Sequence, residues 1–348
     1  MATLSQLVDR VSGGRVTKRD FEARIDRYIA DGRRVDGDGE SLVDAFLKSG
    51  GAWLSEASER IAQSQPTYDF DRATDVLGLW HEPGSFDRAL AQLRKDGYAI
   101  LDVRVPDATV AELSGYFAGA PCTLTSDSGS SLSEGETVRV DFDSPLAEKY
   151  AVTTDAVLQN ATVRALLLDR GLLQIAQAYC GSAPIVDIVT AWYSFPSAQA
   201  SHEAAQLYHF DLDRVRWLKA FLLLTDQDEE TGAHMYVPGT QADHGISKEL
   251  LARGYARLED AEVDRSHPRS SWKTMDGTAG VVLLEDTRGL HKGMRLLRDH
   301  RLMLQFEYAQ SLFGHPASLE TAAVGQIDDP YWEEMQVAYP RLFDALRR

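Results

Sequence analysis

Two histidines and an aspartate have the types and spacing of a metal site. His209 and Asp211 lie two residues apart, so on an extended strand both side chains leave the same face. One imidazole nitrogen and one carboxylate oxygen can then bind a single cation. A second histidine on a neighbouring strand would complete a two-histidine, one-carboxylate triad, which leaves coordination positions open and suits iron(II) in oxygenases.

A candidate for the second histidine lies downstream. His291 follows the apolar run Val281–Leu284 and a short turn, which places it at the end of a predicted strand. Arg301 opens the next strand, in which apolar and polar residues alternate as far as Ala309. Arg301 falls on the polar side, where a buried arginine is costly unless an anion meets it. Its planar fork suits a carboxylate.

In four places the sequence resembles the phytanoyl-CoA dioxygenase family of iron(II)- and 2-oxoglutarate-dependent oxygenases. In chain order these are Leu93–Leu101, His209 with Asp211, Glu230–Thr240, and His291 with Arg301. The resemblance covers about residues 86–310. It implies a mainly β fold with flanking helices, built on a double-stranded β-helix or jelly roll.

The same resemblance implies a ligand set and a reaction. Iron(II) would be held by the catalytic residues His209, Asp211 and His291, and Arg301 would hold the distal carboxylate of 2-oxoglutarate. With O2, this pair would oxidise a small-molecule substrate and release succinate and carbon dioxide. Because the carboxylate of Asp211 is present, hydroxylation, or a related oxidation such as desaturation, is favoured over halogenation. The turn histidine of the family is replaced by Gln241, which leaves the ligand set intact.

Two other readings stay open at this point. A cupin-type iron dioxygenase would use the same fold and metal without 2-oxoglutarate, which would leave Arg301 without its partner. A non-catalytic jelly-roll binding protein would keep the site without using it.

Weaker candidates surround these residues. Lys219 and Gln206 are candidates for binding the cosubstrate, although Lys219 could instead be a lysine at a sheet edge. Candidates for contacting the substrate are Arg288, Tyr193, Trp192 and Tyr236, with Arg295 as a further cation. Arg288 could equally pair with Asp286, and the aromatic side chains could belong to the hydrophobic core. If they rim the entrance, Asp213, Arg214 and Arg216 favour a polar or anionic substrate. Five other histidines are interpreted as surface or hydrogen-bonded groups: His202, His234, His244, His267 and His300.

Composition limits the possible partners. The 348 residues include 53 acidic and 36 basic ones, for a net charge of −17, which argues against nucleic-acid and anionic-membrane binding. Two cysteines, Cys122 and Cys180, exclude a disulfide scaffold and a four-cysteine zinc site. Met1–Arg19 carries no apolar run, and no stretch reaches the ~18 apolar residues of a membrane span, so we expect a cytoplasmic protein.

Hydrophobic periodicity predicts most of the helices in the first half of the chain and most of the strands in the second half. We expect a helical extension over 1–84, an oxygenase domain over 85–312 and a helical tail over 313–348. Helices are predicted over 41–48, over 53–62, from Ser85 as N-cap, from residue 107, and over 156–180 with a break at Gly171. Strands are predicted over 98–103, 185–194, 217–225, 233–238, 279–285 and 301–309. The Ser- and Gly-rich segment 126–135 is predicted to be a mobile loop, either beside the site or on the surface.

Overall fold

A computed structural model of the protein describes residues 16–70, 76–124, 136–196, 205–315 and 327–346. The predicted loop over 126–135 and His202 lie outside these residues. Within them, no helix combines the length and the apolar character that crossing a membrane requires.

Helices cover the amino-terminal part of the described chain and flank the sheets. They are α1 (Lys18–Asp31), α2 (Asp38–Ser49), α3 (Ala52–Ser64), α4 (Ser85–Asp96), α5 (Asp107–Ala118), α6 (Thr154–Gln159), α7 (Ala161–Leu167), α8 (Arg170–Cys180), α9 (Lys248–Leu251), α10 (Asp260–Asp264) and α11 (Pro330–Ala338), with 3-10 turns at Arg269–Ser271 and Pro340–Phe343. Gly50 ends α2 with a left-handed backbone (φ 59°), as the sequence predicts. Ser85 is the first residue of α4, and Gly84 rather than Ser85 occupies the N-cap position.

The helical region predicted over 156–180 is divided at two positions other than Gly171. The side chain of Asn160 accepts a backbone N–H at the start of α7, and that of Asp169 does the same for α8. Gly171 lies buried inside α8. Asn and Asp cap helices because their oxygens bind N–H groups that a helix start leaves unpaired. The prediction of a break at Gly171 was therefore wrong.

Two antiparallel sheets form the centre of the molecule. The strands are β1 (Tyr98–Arg104), β2 (Cys122–Leu124), β3 (Lys149–Val152), β4 (Ile185–Ser194), β5 (Trp217–Leu223), β6 (His234–Tyr236), β7 (Lys273–Met275), β8 (Val281–Glu285), β9 (His291–Gly293) and β10 (Arg301–Ala309). The larger sheet has the order β1-β8-β5-β10-β4-β3-β2, and the smaller one has the order β7-β6-β9. This pair of sheets with flanking helices confirms the predicted jelly-roll fold.

The strand β10 separates the core from the polar interior. It pairs with β4 on one side and β5 on the other, so it is a central strand. Its apolar face belongs to the main hydrophobic core through Leu302, Leu304, Phe306 and Tyr308. Its other face begins with Arg301 and points into a cavity between the two sheets. The alternation predicted for this strand is therefore confirmed.

The amino-terminal helices pack behind the strand segment that carries the candidate ligands. Their apolar residues form one hydrophobic cluster with Tyr208, Phe210 and Leu212. The rings of Phe46 in α2 and Phe210 lie 5.2 Å apart. Because these three residues alternate with His209 and Asp211, the helices press on one face of the segment and leave its other face toward the cavity.

Candidate metal centre

The three predicted ligands come together in the folded chain. One ligand atom from each of His209, Asp211 and His291 can be chosen so that all lie within 4.8 Å of one another. His209 and His291 exchange both backbone hydrogen bonds, at 3.0 and 2.9 Å, which holds their segments side by side. The backbone N–H of Asp211 donates to the carbonyl oxygen of Thr287 at 2.7 Å. The ligand segment and the loop before β9 are thus tied directly together.

Hydrogen bonds to the backbone fix the tautomers of both histidines. Nδ1 of His209 lies 2.9 Å from the carbonyl oxygen of Leu207, and Nδ1 of His291 lies 2.9 Å from that of Gly289. A carbonyl oxygen only accepts, so each Nδ1 carries the hydrogen and each Nε2 keeps a free lone pair. Burial lowers the pKa of both imidazoles, which keeps them neutral near neutral pH. Neutral imidazoles with free Nε2 atoms are the form that binds a metal ion.

Lys219 holds the carboxylate of the triad. Its Nζ lies 2.7 Å from Oδ2 of Asp211 and 3.0 Å from Oδ2 of Asp213. Burial alone would raise the pKa of Asp211, but the ammonium of Lys219 and the two histidines hold that pKa well below its ordinary value. Lys219 lies on β5 between β8 and β10, so the alternative of a lysine at a sheet edge was wrong.

A further buried acid completes this charged group. A carboxylate oxygen of Glu307 lies 3.4 Å from Nζ of Lys219. Burial, together with the nearby Asp213, raises the pKa of Glu307 well above its ordinary value. The raised pKa favours the uncharged form of Glu307, so Asp211 and Asp213 face one ammonium, and a divalent cation at the triad would offset the remaining negative charge. The charge and the donor set of two imidazoles and one carboxylate both fit iron(II).

Arg301 enters the same cavity with no carboxylate partner among the described residues. Only 6% of it is exposed, and its guanidinium donates to the carbonyl oxygen of Gly232 and, at 3.2 Å, to Oγ of Ser194. Its Nε is buried without a hydrogen-bond partner. Burial lowers the pKa of Arg301 to about 10. A buried guanidinium in this state requires an anion, as the sequence predicts.

A second cation beside Arg301 was missed by sequence reasoning. Lys149 on β3 pairs with Ser194 on β4, and Ser194 pairs with Arg301 on β10, so the three side chains form a row on one face. Nζ of Lys149 lies 5.2 Å from the centre of the Trp192 ring. Burial, with a contribution from Arg301, lowers the pKa of Lys149 to about 8. The strand β3 spans four residues, too short for its alternation to signal the placement of Lys149.

These groups line one cavity of about 210 Å³ between the two sheets. The lining residues are Lys149, Ala151, Thr190, Trp192, Ala205, His209, Asp211, Lys219, Phe221, Gln227, His234, His291, Gly293, Arg301, Met303 and Gln305. Metal ligands, cations, amides and apolar side chains therefore share one enclosure. We call it the metal cavity.

His234 lies next to the ligands but outside the triad. Its Nδ1 lies 3.1 Å from Oε1 of the buried Glu285, and its ring centre lies 5.5 Å from that of His291. His234 thus lies against a buried carboxylate and is not part of the triad. His244, His267 and His300 do not line the metal cavity.

Two of the predicted substrate contacts face away from the metal cavity. Arg288 is buried against Asp286, with Nε at 2.9 and 3.1 Å from the two carboxylate oxygens. The hydroxyl of Tyr236 donates to the backbone oxygen of Asp286 at 2.7 Å. Arg288 therefore forms the salt bridge with Asp286 that was the alternative to a substrate contact, and the Tyr236 hydroxyl contacts the same loop.

The two aromatic residues of β4 separate because successive side chains of a strand point to opposite faces. Trp192 lines the metal cavity, whereas Tyr193 lies in the main core, with its ring centre 5.4 Å from that of Phe142. Gln206 is buried near the ligand segment but does not line the cavity, and neither does Arg295.

The charged residues after Asp211 do not form an entrance. Asp213 pairs with Lys219, and Arg214 pairs with the buried Asp187 at 2.6 Å. The guanidinium of Arg216 lies 5.5 Å from the centre of the Tyr179 ring, at a different cavity. The condition that these residues rim the entrance is therefore not met, because Asp213 and Arg214 are held in ion pairs and Arg216 lines another cavity.

Comparisons with known proteins identify a family and a set of similar structures. The family model described as phytanoyl-CoA dioxygenase matches residues 93–296, which is more than half of the chain. Among curated proteins, none matches the sequence significantly.

Several solved structures are similar in outline. The epimerase SnoN, in complex with Fe3+, alpha ketoglutarate and nogalamycin RO, is 19% identical over 71% of this chain and 91% of that one, with a TM-score of 0.47. HygX from Streptomyces hygroscopicus, with nickel and 2-oxoglutarate bound, is 19% identical over 68% and 92%, with a TM-score of 0.46. EctD from S. alaskensis, in its apoform, is 18% identical over 70% and 82%, with a TM-score of 0.43.

Proposed function

The chain belongs to the phytanoyl-CoA dioxygenase family, and from this premise we propose that it is an iron(II)- and 2-oxoglutarate-dependent oxygenase that hydroxylates a polar small molecule. One observation supports this most directly. A complete two-histidine, one-carboxylate triad shares a cavity with a buried arginine that has no carboxylate partner in the described chain. The first feature suits a metal, and the second suits an anion bound beside it.

The proposed iron ligands are Nε2 of His209, Nε2 of His291 and a carboxylate oxygen of Asp211. Iron(II) and 2-oxoglutarate, when bound with O2, supply the oxidising power to break an unactivated C–H bond, and succinate and carbon dioxide are released. The protein keeps both imidazoles neutral and orients them through Leu207 and Gly289. Its Lys219 fixes the orientation of the Asp211 carboxylate.

The cosubstrate is proposed to lie along the row formed by Lys149, Ser194 and Arg301. 2-Oxoglutarate is a dianion, and this row brings two cations to one wall of the metal cavity, with the Ser194 hydroxyl accepting a hydrogen bond from Arg301. Arg301 suits the distal carboxylate because its fork can donate two parallel hydrogen bonds. Lys149 suits the same carboxylate as a point charge.

The rest of the metal cavity favours a small substrate with hydrogen-bonding groups. Trp192, Phe221 and Met303 provide apolar walls that exclude water, and Gln227 and Gln305 provide amides. Its volume of about 210 Å³ lies below that of typical drug-sized sites, so a small molecule or one arm of a larger one would enter.

Three further expectations stand as proposals. The oxygenase domain is proposed to span 85–312, with a helical extension over 1–84 and a helical tail over 313–348. Hydroxylation, or a related oxidation such as desaturation, is proposed over halogenation because Asp211 supplies the carboxylate ligand whose absence would open a halide site. The cytoplasmic location expected from the sequence stays a prediction.

Turnover tests the proposal. The purified protein would be incubated with iron(II), 2-oxoglutarate and air together with a panel of polar small molecules, and succinate would be quantified. We expect substrate-dependent succinate release with a product heavier by one oxygen atom, and none in His291→Ala. A product formed without consumption of 2-oxoglutarate would instead favour a cupin-type dioxygenase.

A further inference from the structure

A second cavity lies on the far side of the loop that precedes β9. Its volume is about 630 Å³, within the range of small-molecule sites. It lies between α3 of the amino-terminal extension, the end of α8, and the turn after β6. The lining residues are Ser55, Ser58, Glu59, Ala62, Arg94, Ala178, Tyr179, Cys180, Gly181, Arg216, Gln241, Ala242, Asp243 and Arg288. We call it the arginine cavity.

Arg216 contributes an unused cation to this cavity. Its guanidinium has no hydrogen-bonded or ion-paired partner among the described residues, and its Nε is shielded from solvent. It lies over the ring of Tyr179 at 5.5 Å. A guanidinium that keeps its planar edge free, with its face on an aromatic ring, is oriented to donate to an acidic group.

Two other arginines add to the positive charge. Arg288 is 2% exposed, and its pair with Asp286 leaves the local charge near neutral at that position. Arg94 reaches the cavity from α4 and donates to the carbonyl oxygen of Ala178 at 3.0 Å, which uses one of its N–H groups. Arg94 is exposed, so Arg216 is the partly buried cation of this cavity that lacks an ion-paired partner among the described residues.

The acidic residues of the cavity lie at its exposed margin. Glu59 and Asp243 are both exposed, and Asp243 accepts a hydrogen bond from the Ser55 hydroxyl at 2.7 Å. Charges exposed to water act weakly at a distance, because the high dielectric and dissolved salt screen them. In a chain of net charge −17, an inner wall that carries the unpaired guanidinium of Arg216 is therefore a local exception.

We propose that the arginine cavity binds the acidic group of a small molecule, a phosphate or a carboxylate, at Arg216, with the exposed Arg94 as a second cation of the same lining. Both anions match the planar fork of arginine. The volume admits a molecule larger than the acidic group alone. The site is separate from the metal cavity and does not depend on the proposed oxygenase activity.

The position of the arginine cavity links it to the metal centre. Thr287 lies between Asp286 and Arg288, and its backbone oxygen accepts the N–H of the ligand Asp211 at 2.7 Å. The same threonine accepts a hydrogen bond from Trp217 through its hydroxyl. The loop that carries Arg288 on the arginine cavity therefore also holds the backbone of Asp211.

Equilibrium binding of inorganic phosphate and of acetate, which bind nickel(II) only weakly, tests the proposal and separates its two ligand sources. Calorimetric titrations would use the full chain saturated with nickel(II) and N-oxalylglycine, so that the metal cavity is occupied. We expect one additional site for at least one of the two anions, weakened about tenfold or more in Arg216→Gln. Arg139→Gln is the matched control for Arg94→Gln, because Arg139 is also exposed and also donates to a backbone carbonyl oxygen.

Each result either supports or overturns the proposed anion site. Binding that is weakened in Arg216→Gln and Arg94→Gln but unchanged in Arg139→Gln supports the site. No binding of either anion, or equal binding by all variants, overturns it. If Arg216→Gln has a lower melting temperature, Arg216→Lys provides a folded variant that keeps the charge and should retain part of the affinity. Failure here would leave succinate release unaffected, so the two proposals fail independently.

Discussion

Arg301 and Arg288 are two buried arginines on opposite sides of the same part of the sheet, and their surroundings differ in one respect. Arg288 is matched by the carboxylate of Asp286, which also accepts a hydrogen bond from Tyr179 at 2.6 Å. Among the described residues, Arg301 donates only to a carbonyl oxygen and a hydroxyl. The first arrangement is complete without a ligand. The second leaves a charge that a bound anion would compensate, as proposed for 2-oxoglutarate.

Removal of each arginine should therefore have opposite consequences. Arg288→Met should lower the free energy of unfolding by about 3–5 kcal/mol, because it leaves the buried Asp286 uncompensated. Chemical denaturation followed by circular dichroism would measure this. The double variant Arg288→Met, Asp286→Asn should recover part of the loss, and a single variant as stable as the parent would show that the pair is not structural.

Arg301→Met should leave the fold stable and remove cosubstrate binding. We expect the dissociation constant of 2-oxoglutarate to rise roughly 100-fold in the nickel-loaded protein, since two charge-assisted hydrogen bonds are lost. Calorimetry would measure it, with Arg298→Met as the control because Arg298 is exposed and pairs with Asp228. An unchanged affinity for 2-oxoglutarate would show that Arg301 does not bind this cosubstrate.

Lys219→Met tests whether the ammonium behind the triad positions a ligand. The loss of a group that orients a metal ligand typically costs 10–100-fold in metal affinity, and we expect about tenfold. Competition with a chelator would report the affinity for nickel(II). Lys292→Met is a suitable control, because Lys292 also pairs with an aspartate, Asp260, yet faces away from the metal cavity. Equal losses in both variants would contradict a specific role.

The smallest effect should be a pH dependence from Lys149. Burial lowers its pKa to about 8, so below that pH the ammonium is present and above it the charge is lost. The affinity for 2-oxoglutarate should therefore fall as the pH rises from 7 to 9, by roughly tenfold. Because the folded pKa lies below the unfolded value, the same group should make the ligand-free protein more stable as the pH rises through this range. Lys149→Met should abolish both trends, and persistence of either would assign it to another group.

Regular patterns within one strand could be predicted from the sequence, and contacts between distant segments could not. The alternation in β10 correctly separated Arg301 from Leu302 because the side-chain period of a strand is local. The direction of Arg288 depends on a loop whose course is set by tertiary packing. Both Arg288 and Arg301 were candidates for the site, and only the structure distinguishes them.

The remaining errors have similar physical causes. Lys149 was missed because its position beside Arg301 depends on the pairing of its short strand with Ser194, which the local sequence does not show. The helix break was assigned to Gly171, whereas the capping side chains of Asn160 and Asp169 decide it. Lys219 was expected to contact an anion, and it does, but the anion is the carboxylate of Asp211.

The most direct test of the account is an anaerobic titration with iron(II) and then 2-oxoglutarate, followed by visible absorption. We predict a weak charge-transfer band that requires both components and is absent in His209→Ala and His291→Ala. In Arg301→Met the band should form only at much higher 2-oxoglutarate concentrations. If the folded protein binds iron(II) and no band forms, the assignment of the metal cavity as a 2-oxoglutarate site is contradicted.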